Sequence, residues 1–273
     1  FTKFLKKKIY TYSIIDKNSK KYDEEKLIDL VCSRYKIKNH KIYLTNNSQN
    51  LTNLRKLIKY HDKPVSTISL YLQSLIYKRM REDGIKISIT GNGADELFAG
   101  YYHHYVLYYN SIKDSNYKNT FKHEWEKNIF PLLRNNEYKN LNKKNLSSYF
   151  SLIDNKFLKS KKITMDKEKY FTKNLLRNKL INELVYETVP LALVEDDLNS
   201  MYNSIENRSP FLNKNLVEAT FKFPTKYLMK NSYNKYLLRI SSKNIMHSKI
   251  RLNREKKGFN ASFNSVFSID DKY

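Results

Sequence analysis

This 273-residue chain contains one cysteine, five glycines and five prolines. A single thiol excludes an internal disulfide and a metal site built from cysteines. Cys32 closes the apolar run Leu27-Ile28-Asp29-Leu30-Val31-Cys32, whose spacing predicts a helix that buries the thiol as a structural residue. A free thiol suits a reducing, cytoplasmic setting. No apolar run approaches the roughly 20 residues that a membrane-spanning helix needs, so no membrane is expected as a partner. No signal-peptide pattern is present.

Acidic residues are also in short supply. There are 27 Asp and Glu against 51 Lys and Arg, a formal net charge of +24. Such an excess has two readings: a nucleic-acid or membrane-surface partner, or compositional drift. Lys, Asn, Ile and Tyr are abundant together, a bias that an A/T-rich genome produces. The lysines are spread along the whole chain and far outnumber arginine, whereas base-reading interfaces lean on arginine. Drift is the preferred reading, and nucleic acid is not an expected partner. Hydrophobic content of 40% and aromatic content of 14% argue against disorder. The length suffices for one large domain or two small ones around a substantial core. The chain starts at Phe1 rather than Met and ends at Asp270-Asp271-Lys272-Tyr273, which reads as a piece of a longer protein.

The first hundred or so residues alternate strand and helix. Ile9 to Ile15 reads as a buried strand, Glu24 to Tyr35 as a helix and Lys41 to Thr45 as a second strand. Leu54 to Tyr60 and Val65 to Arg81 read as helices separated by Pro64. Gly84 stops the latter, and Ile85 to Ile89 is a third strand. Strands alternating with helices indicate a parallel sheet of βαβ units, with ligands at the carboxyl ends of the strands, where Ile14 and Thr90 fall. From about Asn110 the pattern is helical: Trp125 to Leu133, Tyr149 to Leu158 and Tyr170 to Tyr186, with a polar connector over Asn135 to Asn145. The expected fold is α/β, a parallel-sheet lobe over residues 1–110 followed by a mainly helical lobe over 111–273.

Four segments carry chemistry. Thr90-Gly91-Asn92-Gly93 follows a β-branched run, and Asp95-Glu96 then opens an apolar helix. Glycines permit close backbone approach to a phosphate, and a helix N-terminus favours negative charge. Asp95 is placed to hold a magnesium ion bridging phosphates. The ordinary alternative is a strand-ending turn with acids that stabilise a first helical turn by roughly 0.3–1 kcal/mol. The second segment runs from Glu195-Asp196-Asp197 to Glu206-Asn207-Arg208-Ser209-Pro210-Phe211-Leu212. Glu206 and Arg208 would not share a face on a helix. In an irregular segment before Pro210 they either reach one ligand or form a structural ion pair that pins the turn, and the ion pair is preferred. Lys235 opens an amphipathic helix in Tyr233-Asn234-Lys235-Tyr236-Leu237-Leu238-Arg239. Lys256-Lys257-Gly258-Phe259 is a basic turn that carries little weight alone.

Taken together, in this order and spacing, the segments resemble the synthetase domain of the glutamine-dependent asparagine synthetase family. Residues 90 to 101 are similar to its Ser-Gly-x-Gly-(Ala/Ser/Gly)-Asp-Glu-(Leu/Val)-Phe-Gly-Gly-Tyr segment. Residues 197 to 213 are similar to its Asp-Arg-x-Ser-Met…(Ile/Val)-Glu-x-Arg-x-Pro-Phe-Leu-Asp segment, and 235 to 239 to its Lys-x-x-Leu-Arg segment. The resemblance spans nearly the whole chain.

The resemblance implies an adenine-nucleotide-binding α/β lobe with ATP and Mg2+ as cofactors. It implies transfer of AMP to a small-molecule carboxylate, by default aspartate, and amide formation from glutamine-derived ammonia. By that similarity Lys235 is the cation at the α-phosphate. Thr90, Gly91 and Gly93 border the nucleotide, Ile14 lies against adenine, and Asp95 faces magnesium-pyrophosphate. Asn92, Glu96, Glu206 and Arg208 are substrate-facing or structural. A sugar acid of surface polysaccharide is an alternative acceptor, a degenerate non-catalytic fragment is another reading, and a homodimer is left open. Three departures stand out. Asn92 replaces an acid placed to take a proton during ammonia attack, and an amide is no base. Asn213 replaces an aspartate. The family's Ser-Gly-Gly-x-Asp-Ser loop, expected before a helix ending near Phe4, and its glutaminase domain are absent from this chain. The ammonia source is therefore expected outside it, and the fragment alone is expected to be inactive and to bind ATP poorly.

Overall fold

The computed structural model describes residues 9–19, 22–142 and 169–267. The helices expected near Phe4 and over Tyr149 to Leu158 lie outside them, as does the end of the Asn135 to Asn145 connector. In chain order the main elements are β1 (Tyr10–Ile15), α1 (Glu25–Tyr35), β2 (Lys38–Tyr43), α2 (Ser48–His61), α3 (Ile68–Glu82), β3 (Ile87–Ile89), α4 (Ala94–Phe98), α5 (Tyr102–Ser111), α6 (Ser115–Asn128), α7 (Leu175–Val185), α8 (Thr188–Tyr202), β4 (Glu206–Arg208), α9 (Lys214–Lys222), α10 (Tyr236–Ser241) and α11 (Ser248–Arg251). No helix among the described residues is long and apolar enough to cross a membrane.

The chain divides into two compact units. One comprises residues 1–90, 192–208 and 257–273; the other comprises 91–191 and 209–256. The two lobes read along the sequence are contiguous segments, whereas these units are not: the chain leaves the first unit between Thr90 and Gly91 and returns to it twice.

The first unit is α/β, with parallel pairing as expected, but among the described residues its strands form two separate two-stranded sheets. β1 pairs with β2, Tyr10 opposite Lys38 through Ile15 opposite Tyr43. β3 pairs with β4, Ile87 opposite Glu206 and Ile89 opposite Arg208. The stretch 206–208, expected to be irregular, is therefore a strand. β1 is also less buried than expected: only Ile15 is fully covered. In β3 the period of two turns Ser88 inward and leaves Ile87 and Ile89 exposed. α1 buries no residue fully, and Cys32 is half-buried, its Sγ 3.7 Å from Thr11 Oγ1. The cause is local: α1 leans on a sheet of two strands and meets it partly through charge, with Lys41 Nζ 2.9 Å from Glu25 and 2.7 Å from Asp29. The unit's apolar core lies instead between α2 and α3, where Leu57, Tyr71 and Leu72 pack with Leu44, Val266 and Phe267.

The second unit is helical around one aromatic core. α5 (YHHYVLYYNS) is buried from His104 to Tyr109, as expected of a helix apolar on nearly every side. Around it pack Leu97 and Phe98 of α4, Phe121 and Trp125 of α6 and Leu176 and Leu180 of α7. Each such side chain contributes about 1.5–3 kcal/mol by leaving water. The short helix α4 sits within this core, so its position is set by packing.

Candidate active site

The glycine turn is built from β3 outward. The Thr90 N–H donates to Arg208 O at 2.9 Å and extends the β3–β4 ladder by one bond within the first unit. Gly91 begins the second unit; it is exposed, and nothing lies within 4 Å of where a Cβ would stand. Gly93 is favoured first by its backbone and secondarily by its neighbour. Its φ is +83°, and a Cβ there would meet Leu212 Cδ2 at 2.2 Å. Asn92 between them is half-buried.

α4 has only five residues. So short a helix has little macrodipole, and its N-terminus adds little to anion binding. The positive charge comes from side chains instead. Lys235 Nζ stands 2.8 Å from Asp95 Oδ1, and Lys256 Nζ donates to Asp95 Oδ2 at 2.8 Å. The Lys256 contact is an aligned hydrogen bond. Lys235 is thus the partner of Oδ1 and Lys256 the partner of Oδ2. Burial pushes the Asp95 carboxyl up, but Lys235 and then Lys256 hold it below the usual carboxylate value. Burial pulls the Lys235 ammonium below its usual value, against the opposing attraction of Asp95. Two cations and one anion leave the cluster with one positive charge.

Lys235 is held by its backbone. It caps α10 with φ +49°, and Asn231 (+52°) and Ser232 (+55°) precede it with the same sign. Non-glycine residues in this region cost on the order of 1–3 kcal/mol each, and neighbouring structure must impose them. The Lys235 N–H donates to Phe98 O at 3.1 Å, and Asn234 Nδ2 donates to Gly100 O at 2.6 Å. Arg239 then clamps Asn234, its Nε 2.7 Å from the carbonyl and Nη2 3.0 Å from Oδ1. The arginine of the Lys-x-x-Leu-Arg segment thus positions the lysine. Lys256 is tied more loosely: its N–H donates to Tyr102 Oη at 2.9 Å, and its ammonium lies 5.3 Å from the Tyr101 ring centre.

Other expected site residues do other things. Glu96 is buried and accepts from Tyr101 Oη at 2.5 Å; burial pushes its carboxyl above the ordinary value, against that hydrogen bond. Glu206 and Arg208 belong to the first unit, pair with each other at 2.8 Å and are more than half exposed. Two residues apart on a strand, they share a face and pair with each other. Ile14, also in the first unit, is half-buried and packs against the Leu57–Tyr71 core. Asn213 caps α9, its Oδ1 accepting from Asn215 N–H at 3.0 Å and Leu216 N–H at 3.4 Å. An amide oxygen caps as well as a carboxylate, so this departure from the family pattern is structurally neutral.

Sequence reading gave Lys256 little weight and missed a second polar cluster in the helical unit. Glu183 of α7 accepts from His103 Nε2 at 2.7 Å and from His104 Nε2 at 2.8 Å. The ligand atoms of this trio lie within 4.8 Å of one another, a spacing that would suit a metal ion. Tautomer chemistry argues against it. His104 Nδ1 accepts from the Tyr101 N–H at 3.2 Å, so Nε2 carries the proton and donates to Glu183. A protonated nitrogen is not a ligand. The trio is a hydrogen-bonded strut between α5 and α7.

Fold and cluster together define an α/β protein with a carboxylate-centred cationic site beside a glycine turn. The chain belongs to the asparagine synthase family, whose model matches residues 1–271. Over 67 residues, 24% of the chain, it is 40% identical to asparagine synthetase [glutamine-hydrolyzing] 1 of Bacillus subtilis (strain 168), and that match spans a tenth of the relative's length.

Proposed function

We propose that this region carries the adenylating site of an ATP-dependent, amide-forming ligase, with aspartate as the default acceptor and glutamine-derived ammonia as the nitrogen source. The supporting observation is the Asp95 carboxylate held between Lys235 and Lys256 beside the Gly91–Gly93 turn. Magnesium typically binds through one or two carboxylates plus substrate phosphates, and the Asp95 carboxylate beside the glycine turn is of the donor type that set needs. When bound there, the metal supplies neutralisation of phosphate charge.

The residues divide the work. The acceptor carboxylate attacks the α-phosphorus, the bond to pyrophosphate breaks, and negative charge gathers on the transferring phosphoryl group. A fixed ammonium stabilises that charge, and Lys235 and Lys256 are the two available. Until phosphates arrive, Asp95 orients both lysines. Ammonia then attacks the acyl carbon, and AMP leaves with the carboxylate oxygen that carried it. Asn92 takes no proton in that step, since an amide has no basicity at neutral pH. Aspartate is the default acceptor and a sugar acid the alternative.

The test is carboxylate-dependent ATP–pyrophosphate exchange by the full-length protein, with aspartate and uronic acids offered separately. Exchange with aspartate supports the first reading and exchange with a uronic acid the second. No exchange with either removes the adenylating role.

A further inference from the structure

We propose that the first unit carries a separate site for an organic phosphate, in a cavity between α2, α3 and the end of α8. The cavity has a volume of about 550 Å³, the size of small-molecule sites in general. α3 presents Ser74, Leu75, Lys78, Arg81 and Glu82 to it, a spacing that places them on one helical face. α2 contributes Lys56 from mid-helix, and Tyr202 ends the far wall.

Charge is the first observation. Lys56, Lys78 and Arg81 line one cavity, all exposed, and none makes an ion pair or side-chain hydrogen bond among the described residues. Glu82 is the one acid on the wall, so the lining carries a net charge of two positive. Like charges three or four apart on a helix repel. The α3 dipole explains a basic last turn, with Arg79 and Arg81, but not Lys56 opposite it. A bound anion would relieve this crowding and form charge-assisted hydrogen bonds to all three.

Shape is the second. The lining also has an apolar wall, formed by Leu57, Leu75 and the Tyr202 ring, beside the polar Asn53, Ser74 and Asn203. Tyr202 is fixed by packing on Tyr60, with ring centres 4.8 Å apart. Inorganic phosphate would leave that wall unused. A phosphate monoester with an aryl or alkyl body uses both halves, its head among the cations and its body on the apolar wall. This inference does not rest on the adenylation proposal, since none of these residues belongs to the Asp95 cluster.

The test is a titration of the full chain with phenyl phosphate and with inorganic phosphate at 150 mM salt, followed by backbone amide NMR. Phenyl phosphate should saturate shifts at residues 53–57, 74–82 and 202–203, and bind about tenfold more tightly than inorganic phosphate. The combined change Lys56→Gln and Lys78→Gln should weaken it at least about tenfold, a loss of about 1.4 kcal/mol. Lys78→Arg, which keeps the charge, should retain binding, as should Lys235→Gln, which touches only the other cluster. Four outcomes would overturn the site: shifts that never saturate, shifts spread over lysines across the surface, equal affinity for the two anions, or loss of binding in Lys235→Gln.

Discussion

Gly100 and the Asp95 carboxylate occupy one space: a Cβ built on Gly100 would stand 1.7 Å from Asp95 Oδ1 and 2.6 Å from Cγ. The backbones are joined as well, the Gly100 N–H donating to Asp95 O at 2.7 Å. Gly100 is therefore a condition for the carboxylate's position between the lysines. Gly100→Ala must push the carboxylate away or open the α4 C-terminus. The expected cost is about 1–3 kcal/mol, as for overpacked cores, or roughly 2–10 °C in melting temperature for a protein of this size. Calorimetry checks the stability, and ATP–pyrophosphate exchange should fall with it. An alanine variant with unchanged melting and exchange would show that the carboxylate has room elsewhere.

The two lysines on Asp95 should respond differently to removal. Lys235 sits on a strained backbone that Phe98 and Arg239 hold in place, whereas Lys256 is tethered by one N–H bond to Tyr102. Lys235→Met and Lys256→Met, which keep the stems, should each lower exchange by about 10²–10³-fold if both cations stabilise the phosphoryl transition state. Arg239→Lys should lower exchange while leaving Lys235 present, because a lysine cannot span both the carbonyl and Oδ1 of Asn234. Full exchange in Lys235→Met with none in Lys256→Met would transfer the assigned role to Lys256 alone.

Glu206 and Arg208 call for a separate prediction. Their pair is exposed, and β4 is held by backbone bonds to β3, including Thr90 N–H to Arg208 O. An exposed pair contributes little to folding. Arg208→Ala should leave the melting temperature unchanged within error. A loss of exchange in that variant, with stability intact, would place Arg208 at a ligand rather than in a structural pair.

What the sequence disclosed here followed local chemistry. The glycine turn was legible because Gly93 requires positive φ and the preceding run is β-branched. α2 and α3 were legible from periodicity on either side of Pro64, though α2 extends beyond both expected ends and α3 begins at Ile68 rather than Val65 and ends at Glu82. β4 was not, because Glu-Asn-Arg has no apolar alternation and becomes a strand by pairing with β3. The relation of Glu206 to Arg208 turned on that assignment, since residues two apart share a strand face but not a helix face. Lys256 was one lysine among many until folding brought it to Asp95, 161 positions away. His104 and Glu183, 79 apart, are the same kind of case. Cys32 shows the reverse error: an apolar run predicts a buried face, but a two-stranded sheet is too small to bury it.

The His103–Glu183–His104 strut gives the fold a pH dependence whose sign is fixed. Burial, reinforced by neighbouring His104, lowers the His103 imidazole from 6.5 to about 4, against the attraction of Glu183. Lys179 opposes protonation as well, and the Tyr101 and Tyr138 rings flank the imidazole. Between those two values the unfolded chain binds a proton that the folded protein does not. Folding is then most favoured above 6.5 and loses stability as pH falls towards 4. Glu183 is also held below its ordinary value, with burial opposing and the two imidazoles prevailing. Its contribution is lost at lower pH, as acid protonates it in turn. The melting temperature should therefore decline from pH 6.5 to 4.5, with His103 contributing to the slope. His103→Gln, which keeps an amide donor for Glu183 but does not titrate, should flatten that part of the profile relative to the parent protein. An identical slope in the two proteins would assign the acid sensitivity to other groups.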